Sequence, residues 1–213
     1  DISAEYKMVQ IEGKNSGEIA QQFYDYDIST LGFRGMAEMT YQDQAGYFAR
    51  FGFSGEFGYQ FFLPVAVFDQ FVADVFAGID TYDDCLDDFL RFEVGQPLTS
   101  IFATKEHTLY ELGYSWNLDF TKEEFRGREA FLAAAQATEQ RSLGFAASEK
   151  IAAQTDVLFD GQVVGKVSWS ADDLSESGRY LGLMTVSKDF AYSGVHFVTA
   201  DGQVIETLSN PYR

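Results

Sequence analysis

Hydrophobic and polar residues alternate over several short segments near the start of the chain, and this period of two predicts β-strands. The segment "EYKMVQIEG" has the composition of a strand. In "NSGEIAQQFYDY", which follows it, Asn15 and Glu18 stand three residues apart, as at the start of a helix. A hairpin is predicted next, with Met36 to Tyr41 as its first arm and its turn at 42–46. Along the second arm the alternating residues are Tyr47, Ala49, Phe51 and Phe53.

The hydrophobic period then becomes helical. Apolar side chains recur at Val65, Phe68, Val72, Val75 and Phe76, and Gly78 marks the expected end of that helix. A second helix is predicted from about Asp83 to Gly95. A third is predicted in "FTKEEFRGREAFLAAAQATEQ", with its start marked by Thr121 and by Glu124 three residues later.

After Arg141 the pattern changes to short strands. Asp160-Gly161 and Asp201-Gly202 each lie between apolar arms, and this dipeptide is a strong signal for a two-residue hairpin. We therefore predict an α+β fold, in which a mixed region at 1–140 is followed by a small all-β domain at 141–213, either a barrel or a sandwich, of which we choose the barrel.

Composition limits the classes of function. The chain has 213 residues, of which 46% are hydrophobic, and this suffices for a packed core. Its 15 basic and 33 acidic residues give a net charge of −18, which repels nucleic acid and anionic membranes. A single cysteine, Cys85, excludes an intramolecular disulfide framework, and no apolar run is long enough to span a bilayer. We expect a soluble, cytoplasmic protein.

The stretch "RFGFSGEFGYQFFLP" is rich in glycine, at Gly52, Gly55 and Gly58. A phosphate-binding glycine loop must lead into a helix, whereas these glycines lead into a segment with strand character. A strand that the glycines kink, with close approach of neighbouring backbone, is the favoured interpretation.

Other polar residues suggest less chemistry. His107 and His196 lie far apart in the sequence and lack metal-ligand spacing, so no metal site is expected. Arg91 is surrounded by apolar neighbours in "LDDFLRFEVG". Its guanidinium either faces a partner or pocket or forms an ion pair at the surface, and the sequence leaves both possibilities open.

Four segments, taken in order, resemble one family: "FSGEFGYQF", "LDDFLRFEVG", "TLYELGYSWNLDF" with "FRGREAF", and "VGKVSWS". They are similar to the folate-binding aminomethyltransferases, typified by the T-protein of the glycine cleavage system. The resemblance covers nearly the whole chain. It implies a fold of three lobes around a channel that holds tetrahydrofolate.

The resemblance also implies binding residues. The family's pterin-binding carboxylate corresponds to Gln60, its folate-contacting arginine to Arg91, and the aromatic residue of its pocket to Phe53. Gln60 replaces a glutamate, so we expect either that pterin affinity falls or that the ring is recognised differently. Phe53 replaces a tyrosine, which removes the hydroxyl and keeps the ring. We expect Glu56, which the motif retains, to accept hydrogen bonds from backbone amides of the kinked strand.

Family members carry of the order of 100 residues or more before the point that matches Asp1. The chain is therefore expected to be the carboxy-terminal two-thirds of such a protein, and the resemblance assigns it no catalytic residue. The function implied is tetrahydrofolate-dependent transfer of an aminomethyl or methyl group from a small one-carbon donor, with a lipoyl carrier protein as one partner that the family allows. A folate-dependent demethylase and a non-catalytic folate-binding or interaction module remain as alternatives.

Overall fold

The structure is a computed structural model that describes residues 1–80, 84–96, 98, 107–175 and 178–209, and within 84–87 it describes the backbone alone. The chain divides into two compact units, Asp1–Leu90 and Arg91–Arg213. The division into 1–140 and 141–213 that the sequence suggests follows a change of secondary structure, and it stays a prediction.

The first unit is built on a four-stranded antiparallel sheet in the order β1-β4-β3-β2. Its elements are β1 (Tyr6–Glu12), α1 (Ser16–Gln21), a 3-10 turn (Ile28–Thr30), β2 (Met36–Tyr41), β3 (Gln44–Arg50), β4 (Gly58–Pro64) and α2 (Val65–Val75), and α3 (Asp84–Glu93) comes next in the chain. The predicted strand, hairpin and first two long helices are thus present.

The hydrophobic core of this unit lies on one face of the sheet. Phe48 and Phe61 are adjacent in the register of β3 and β4, and both are fully buried. Phe71 of α2 packs against Phe61 with ring centroids 5.4 Å apart. Because side chains alternate along a strand, Tyr59, Phe61 and Leu63 point to this core, while Gln60 and Phe62 point to the opposite face.

The hairpin differs from its prediction at both ends of β3. Its turn is the two-residue pair Gln42-Asp43, both with positive φ (47° and 58°), so β3 begins within the predicted turn. At the other end β3 stops at Arg50, and the prediction that Phe51 and Phe53 continue the arm is wrong. The chain leaves the sheet there because the glycine-rich segment forms a loop that leads back into β4.

The first and third helices also refine the sequence prediction. Asn15 does precede α1, but its side chain makes no capping hydrogen bond. The third predicted helix begins at Arg128, after Gly127 with φ 88°, and not at Thr121. The amide and hydroxyl of Thr121 instead donate to Asp119 Oδ1, at 3.0 and 2.6 Å, within a turn.

The second unit contains a closed six-stranded barrel in the order β10-β5-β8-β7-β6-β9. Its elements are a 3-10 turn (Ser115–Asn117), α4 (Arg128–Ala137), β5 (Gln140–Ala147), β6 (Asp156–Phe159), β7 (Gln162–Asp172), β8 (Tyr180–Ser187), a further 3-10 turn (Lys188–Phe190), β9 (His196–Val198) and β10 (Val204–Thr207). The predicted α+β class with a small β-barrel is confirmed.

The barrel core consists of inward-facing apolar side chains, among them Phe145, Met184 and Phe197, which are fully buried. The Asp160-Gly161 turn joins β6 to β7 directly, with φ of 49° and 77°, as predicted. Asp201-Gly202 lies in a longer connection between β9 and β10, in which the amide of Thr199 donates to the carbonyl of Gln203 at 2.9 Å.

Candidate functional site

The second face of the sheet in the first unit carries a row of four residues that are in register across all four strands. Gln10 of β1 pairs with Gln60 of β4, Gln60 with Ala49 of β3, and Ala49 with Met36 of β2. The first two are polar and partly buried, Ala49 is small, and Met36 is 62% exposed. The polar part of this row is thus formed by Gln10 and Gln60.

The two glutamines of this row are linked by a directed set of hydrogen bonds. Gln60 Nε2 donates to Gln10 Oε1 at 2.8 Å. Gln10 Nε2 in turn donates to Glu12 Oε1 and to the carbonyl of Phe51, the latter at 3.3 Å. The amide of Gln60 is therefore connected, through one intervening side chain, to the carboxylate of Glu12.

Glu12 also anchors the glycine-rich loop at 52–57. Its carboxylate accepts the amide of Phe53 at 3.1 and 3.2 Å, the amide of Ser54 at 2.9 Å, and the hydroxyl of Ser54. The expectation that Glu56 fills this role is wrong, because Glu56 is exposed and the loop amides turn towards the end of β1, where Glu12 stands.

The glycines of this loop allow two backbone segments to touch. A Cβ atom on Gly58 would lie 2.7 Å from Gly52 Cα and 2.7 Å from the carbonyl oxygen of Phe51. Gly55 has φ 84°, a conformation that favours glycine. After Gly58 the chain continues as strand β4, so the phosphate-loop interpretation fails and the kinked, closely packed one holds.

Aromatic rings border the loop. Phe33 and Phe51 stack with centroids 6.0 Å apart and an interplanar angle of 7°, and Phe33 is 60% exposed. The guanidinium of Arg50 lies 5.4 Å from the ring centroid of Phe57 and donates to the carbonyl of Leu31 at 2.8 Å. An exposed aromatic surface therefore adjoins the fixed polar groups.

The structure brings two of the three predicted binding residues together. Gln60 and Phe53 are joined through Gln10 and Glu12, which hold the side chain of one and the backbone of the other. Arg91 lies in the last turn of α3, partly buried, and belongs to the second unit. Its placement towards Gln60 and Phe53 stays a prediction, as does its choice between a pocket and a surface ion pair.

The histidines form no metal centre with other residues that the structure describes, since no group of three potential ligands occurs there. His107 Nδ1 lies 2.8 Å from Oε1 of Glu111, four residues along the chain, and His196 is exposed on β9. Among the helices within the described ranges, none is long and apolar enough to cross a membrane.

Sequence reasoning missed Gln10 and Glu12. Their signal is the alternation in "VQIE", where Val9 and Ile11 point to the core and the two polar residues to the other face. That pattern shows which face they occupy, but it does not show that β4 and the glycine-rich loop lie beside them.

The chain is similar in sequence to known aminomethyltransferases. An aminomethyltransferase of Rippkaea orientalis is 30% identical to the chain over 174 residues, which are 79% of the chain and 47% of that protein. The chain belongs to the aminomethyltransferase family. A second aminomethyltransferase, from Herpetosiphon aurantiacus, is 29% identical over 136 residues, 61% of the chain and 36% of that protein. The family expected from the sequence is confirmed, although no family model matches the chain.

The fold agrees with this membership. The crystal structure of glycine cleavage system aminomethyltransferase T from Bartonella henselae superposes with a TM-score of 0.83 over 98% of the chain, at 19% identity. The chain covers 60% of that structure and less than half the length of the two curated aminomethyltransferases, at 36% and 47%.

Proposed function

We propose that the chain forms the pterin-binding part of a tetrahydrofolate-dependent one-carbon transferase similar to the glycine cleavage T-protein. The observation that supports this most directly is the position of Gln60, whose amide is held by Gln10 beside the small Ala49. The loop that carries Phe53 is fixed next to it by Glu12.

The residues present fit a reduced pterin. A pterin is flat, has polar edges, and needs aromatic or apolar walls with a few convergent hydrogen-bonding groups. Gln60 provides an acceptor, and the stacked Phe33–Phe51 pair, with Phe33 60% exposed, provides aromatic surface beside the loop that carries Phe53. When bound, the folate would supply the nitrogen that receives the one-carbon unit. The chain's own residues would orient the ring and exclude water from it.

Transfer of an aminomethyl group is the reaction that we favour, because the curated relatives are named aminomethyltransferases. The proposed partners are then folate, a small one-carbon donor and a lipoyl carrier protein, in the cytoplasm. The chain covers 47% of the Rippkaea protein. We therefore propose the complete reaction for a protein of the length of these relatives, and we assign its catalysis to no residue of this chain.

A non-catalytic folate-binding module is the second candidate, and Gln60 is the observation that favours it. A neutral amide offers one acceptor oxygen, whereas a carboxylate offers two and makes stronger, charge-assisted hydrogen bonds. A chain that has exchanged one for the other binds pterin less tightly. It is then suited to sensing or carrying folate at high concentration as well as to catalysis.

Calorimetric titration of the chain with tetrahydrofolate tests the proposal. We expect binding that weakens in Arg91→Ala and tightens about tenfold when Gln60→Glu is combined with Gln10→Leu, since a charged acceptor makes the stronger bond once the Gln10 oxygen that faces position 60 is removed. Gln162→Glu and Arg126→Ala, which change exposed residues elsewhere, serve as matched controls. A folded chain that binds no tetrahydrofolate at millimolar concentration would overturn the proposal. Binding without turnover of an aminomethylated lipoyl carrier would support the module.

A further inference from the structure

We infer that Gln10 and Glu12 are positioning residues that determine which end of the Gln60 amide faces a ligand. A glutamine side chain ends in one acceptor oxygen and one donor nitrogen, so it presents opposite chemistry when it turns by 180°. The hydrogen bonds around Gln60 select one of these two orientations. The inference rests on the proposed function for the identity of the ligand, but not for the orientation itself.

The orientation is determined first by two groups that can only accept hydrogen bonds. The carboxylate of Glu12 and the carbonyl of Phe51 both face the same end of Gln10, and neither can donate. That end must therefore be Nε2, so Gln10 Oε1 points the other way. Gln10 Oε1 then requires a donor from Gln60, which turns Gln60 Nε2 inward at 2.8 Å.

The opposite orientation of the Gln10 side-chain amide is unfavourable. Turning Gln10 would place its oxygen against the carboxylate of Glu12 and against the Phe51 carbonyl, and it would leave a partly buried acceptor without its donor. Glu12 cannot rotate to compensate, because the amides of Phe53 and Ser54 and the Ser54 hydroxyl hold it in place. Glu12 thus both holds the glycine-rich loop and determines the orientation of the Gln10 and Gln60 amides.

The consequence is that Gln60 presents Oε1 to a ligand. Among the described residues, none donates a hydrogen bond to that oxygen, whereas Nε2 is already engaged. The site therefore offers an acceptor, as a carboxylate at this position would, and it selects the edge of a heterocycle that carries N–H donors. The neutral residue keeps the preference for donors and loses only the strength that a charge adds.

A double-mutant cycle on tetrahydrofolate affinity tests this inference. Gln10→Leu removes the hydrogen-bonding partner and preserves most of the side-chain volume, so the Gln60 amide is free to turn. We expect about a tenfold loss of affinity, equivalent to one well-oriented hydrogen bond. In the Gln60→Glu background the same Gln10→Leu change should leave affinity unchanged or raise it, because the two carboxylate oxygens need no orienting and Gln10 Oε1 has no donor to accept from there. Equal losses in the two backgrounds would overturn the inference.

A second variant guards against a misfolded Gln10→Leu protein. Gln10→Lys places a group there that only donates, which can satisfy Glu12 and attract Gln60 Oε1. Gln60 would then present Nε2, and affinity for tetrahydrofolate should fall at least as far as in Gln10→Leu. A folded Gln10→Lys protein with unchanged affinity contradicts the inference.

An NMR measurement without ligand separates this inference from the proposed function. Side-chain amide protons of Gln60 should show slowed exchange with water and nuclear Overhauser contacts to the Gln10 side chain, and both should vanish in Gln10→Leu. Gln162→Leu, which changes an exposed glutamine of the barrel, should leave them intact. If these signals are present but tetrahydrofolate does not bind, the proposed function fails and the orientation stands. If tetrahydrofolate binds and the signals are absent, the orientation fails alone.

Discussion

The sheet of the first unit and the barrel of the second both place alternate side chains on opposite sides of a strand, yet they use the second side differently. In the barrel the inward side chains, such as Phe145 and Met184, form one closed core. In the sheet, Phe48 and Phe61 form the core on one face, while the other face carries Gln10 and Gln60. An open sheet therefore has a second face that can hold ordered polar groups at the centre of its strands.

Glycine has a different task in each region. In the barrel, a Cβ on Gly165 would lie 2.2 Å from the carbonyl oxygen of Thr185, and one on Gly182 would lie 2.4 Å from that of Trp169. Both allow neighbouring strands to pack closely. In the sheet unit, Gly52 and Gly58 let one loop fold against its own ends, and the result is the anchored segment beside Gln60. The barrel glycines serve packing and the loop glycines shape the candidate site.

The largest expected effect tests whether the two faces of the sheet contribute differently to the free energy of unfolding. Phe61→Ala removes a fully buried ring that contacts Phe48 and Phe71, and it should lower the free energy of unfolding by about 3–5 kcal/mol. Phe62→Ala, the same change one residue along on the other, partly buried face, should cost at most about half as much. Urea unfolding followed by far-ultraviolet circular dichroism measures both. Equal losses would show that both faces contribute equally to stability.

A smaller loss of stability is expected when a closely packed barrel glycine, Gly182, is replaced by alanine. Gly182→Ala in the barrel forces a methyl group to within 2.4 Å of the Phe145 ring and should cost about 1–3 kcal/mol, because the packed core cannot expand. Gly17→Ala in α1 is the control. Its new methyl group would meet the Tyr59 hydroxyl at 3.7 Å, an ordinary contact, and it should be neutral or stabilise by up to about 1 kcal/mol. A Gly182→Ala protein as stable as the parent would contradict the close packing assigned to the barrel.

Local patterns predicted the elements whose causes are local. The bounds of β2 at Met36–Tyr41 follow from alternation, those of α2 at Val65–Val75 from its helical period, and the Asp160-Gly161 turn from the ease with which this pair adopts positive φ. The all-β class of the second domain could be predicted from the same kind of signal, since several short strands separated by turn residues are typical of a barrel or a sandwich. Closure into a six-stranded barrel depends on the pairing of strands distant in the sequence, such as β10 with β5.

Contacts between distant residues account for what the sequence could not show. Phe51 and Phe53 leave the strand because the loop is anchored to Glu12, which precedes Phe53 by 41 positions, and no local pattern contains that contact. The candidate site divides in the same way. Gln60 and Phe53 could be named from the family resemblance, whereas the role of Gln10 depends on the register of β1 with β4.

The smallest expected effect compares two hydrogen bonds, one in each region, that an exposed aspartate accepts from a hydroxyl. The Tyr41 hydroxyl, with help from Gln70, lowers the pKa of Asp74, and the same contact raises the pKa of Tyr41. In the barrel the hydroxyl of Thr199 lowers the pKa of Asp201. A carboxylate whose pKa is lowered in the folded state stabilises the folded protein at pH values above its ordinary pKa. This contribution is lost as the pH falls through the pKa of the folded state. A tyrosine with a raised pKa stabilises below its ordinary range and loses that contribution as the pH rises through the folded value.

Tyr41→Phe should therefore flatten the dependence of the urea midpoint on pH at both the acidic and the alkaline end. Asp201→Asn should flatten it at the acidic end alone, because Thr199 does not titrate. Both changes are expected to be slight, since these groups lie at the surface and water and salt screen them. Urea midpoints measured from about pH 3 to pH 11 would resolve the two patterns, as this range brackets the ordinary pKa values of aspartate and tyrosine. If the urea midpoint of Tyr41→Phe depends on alkaline pH as steeply as that of the parent, the Tyr41–Asp74 hydrogen bond does not persist in solution. The contact between β2 and α2 would then depend on the packing of the Tyr41 and Phe71 rings, whose centroids are 5.1 Å apart.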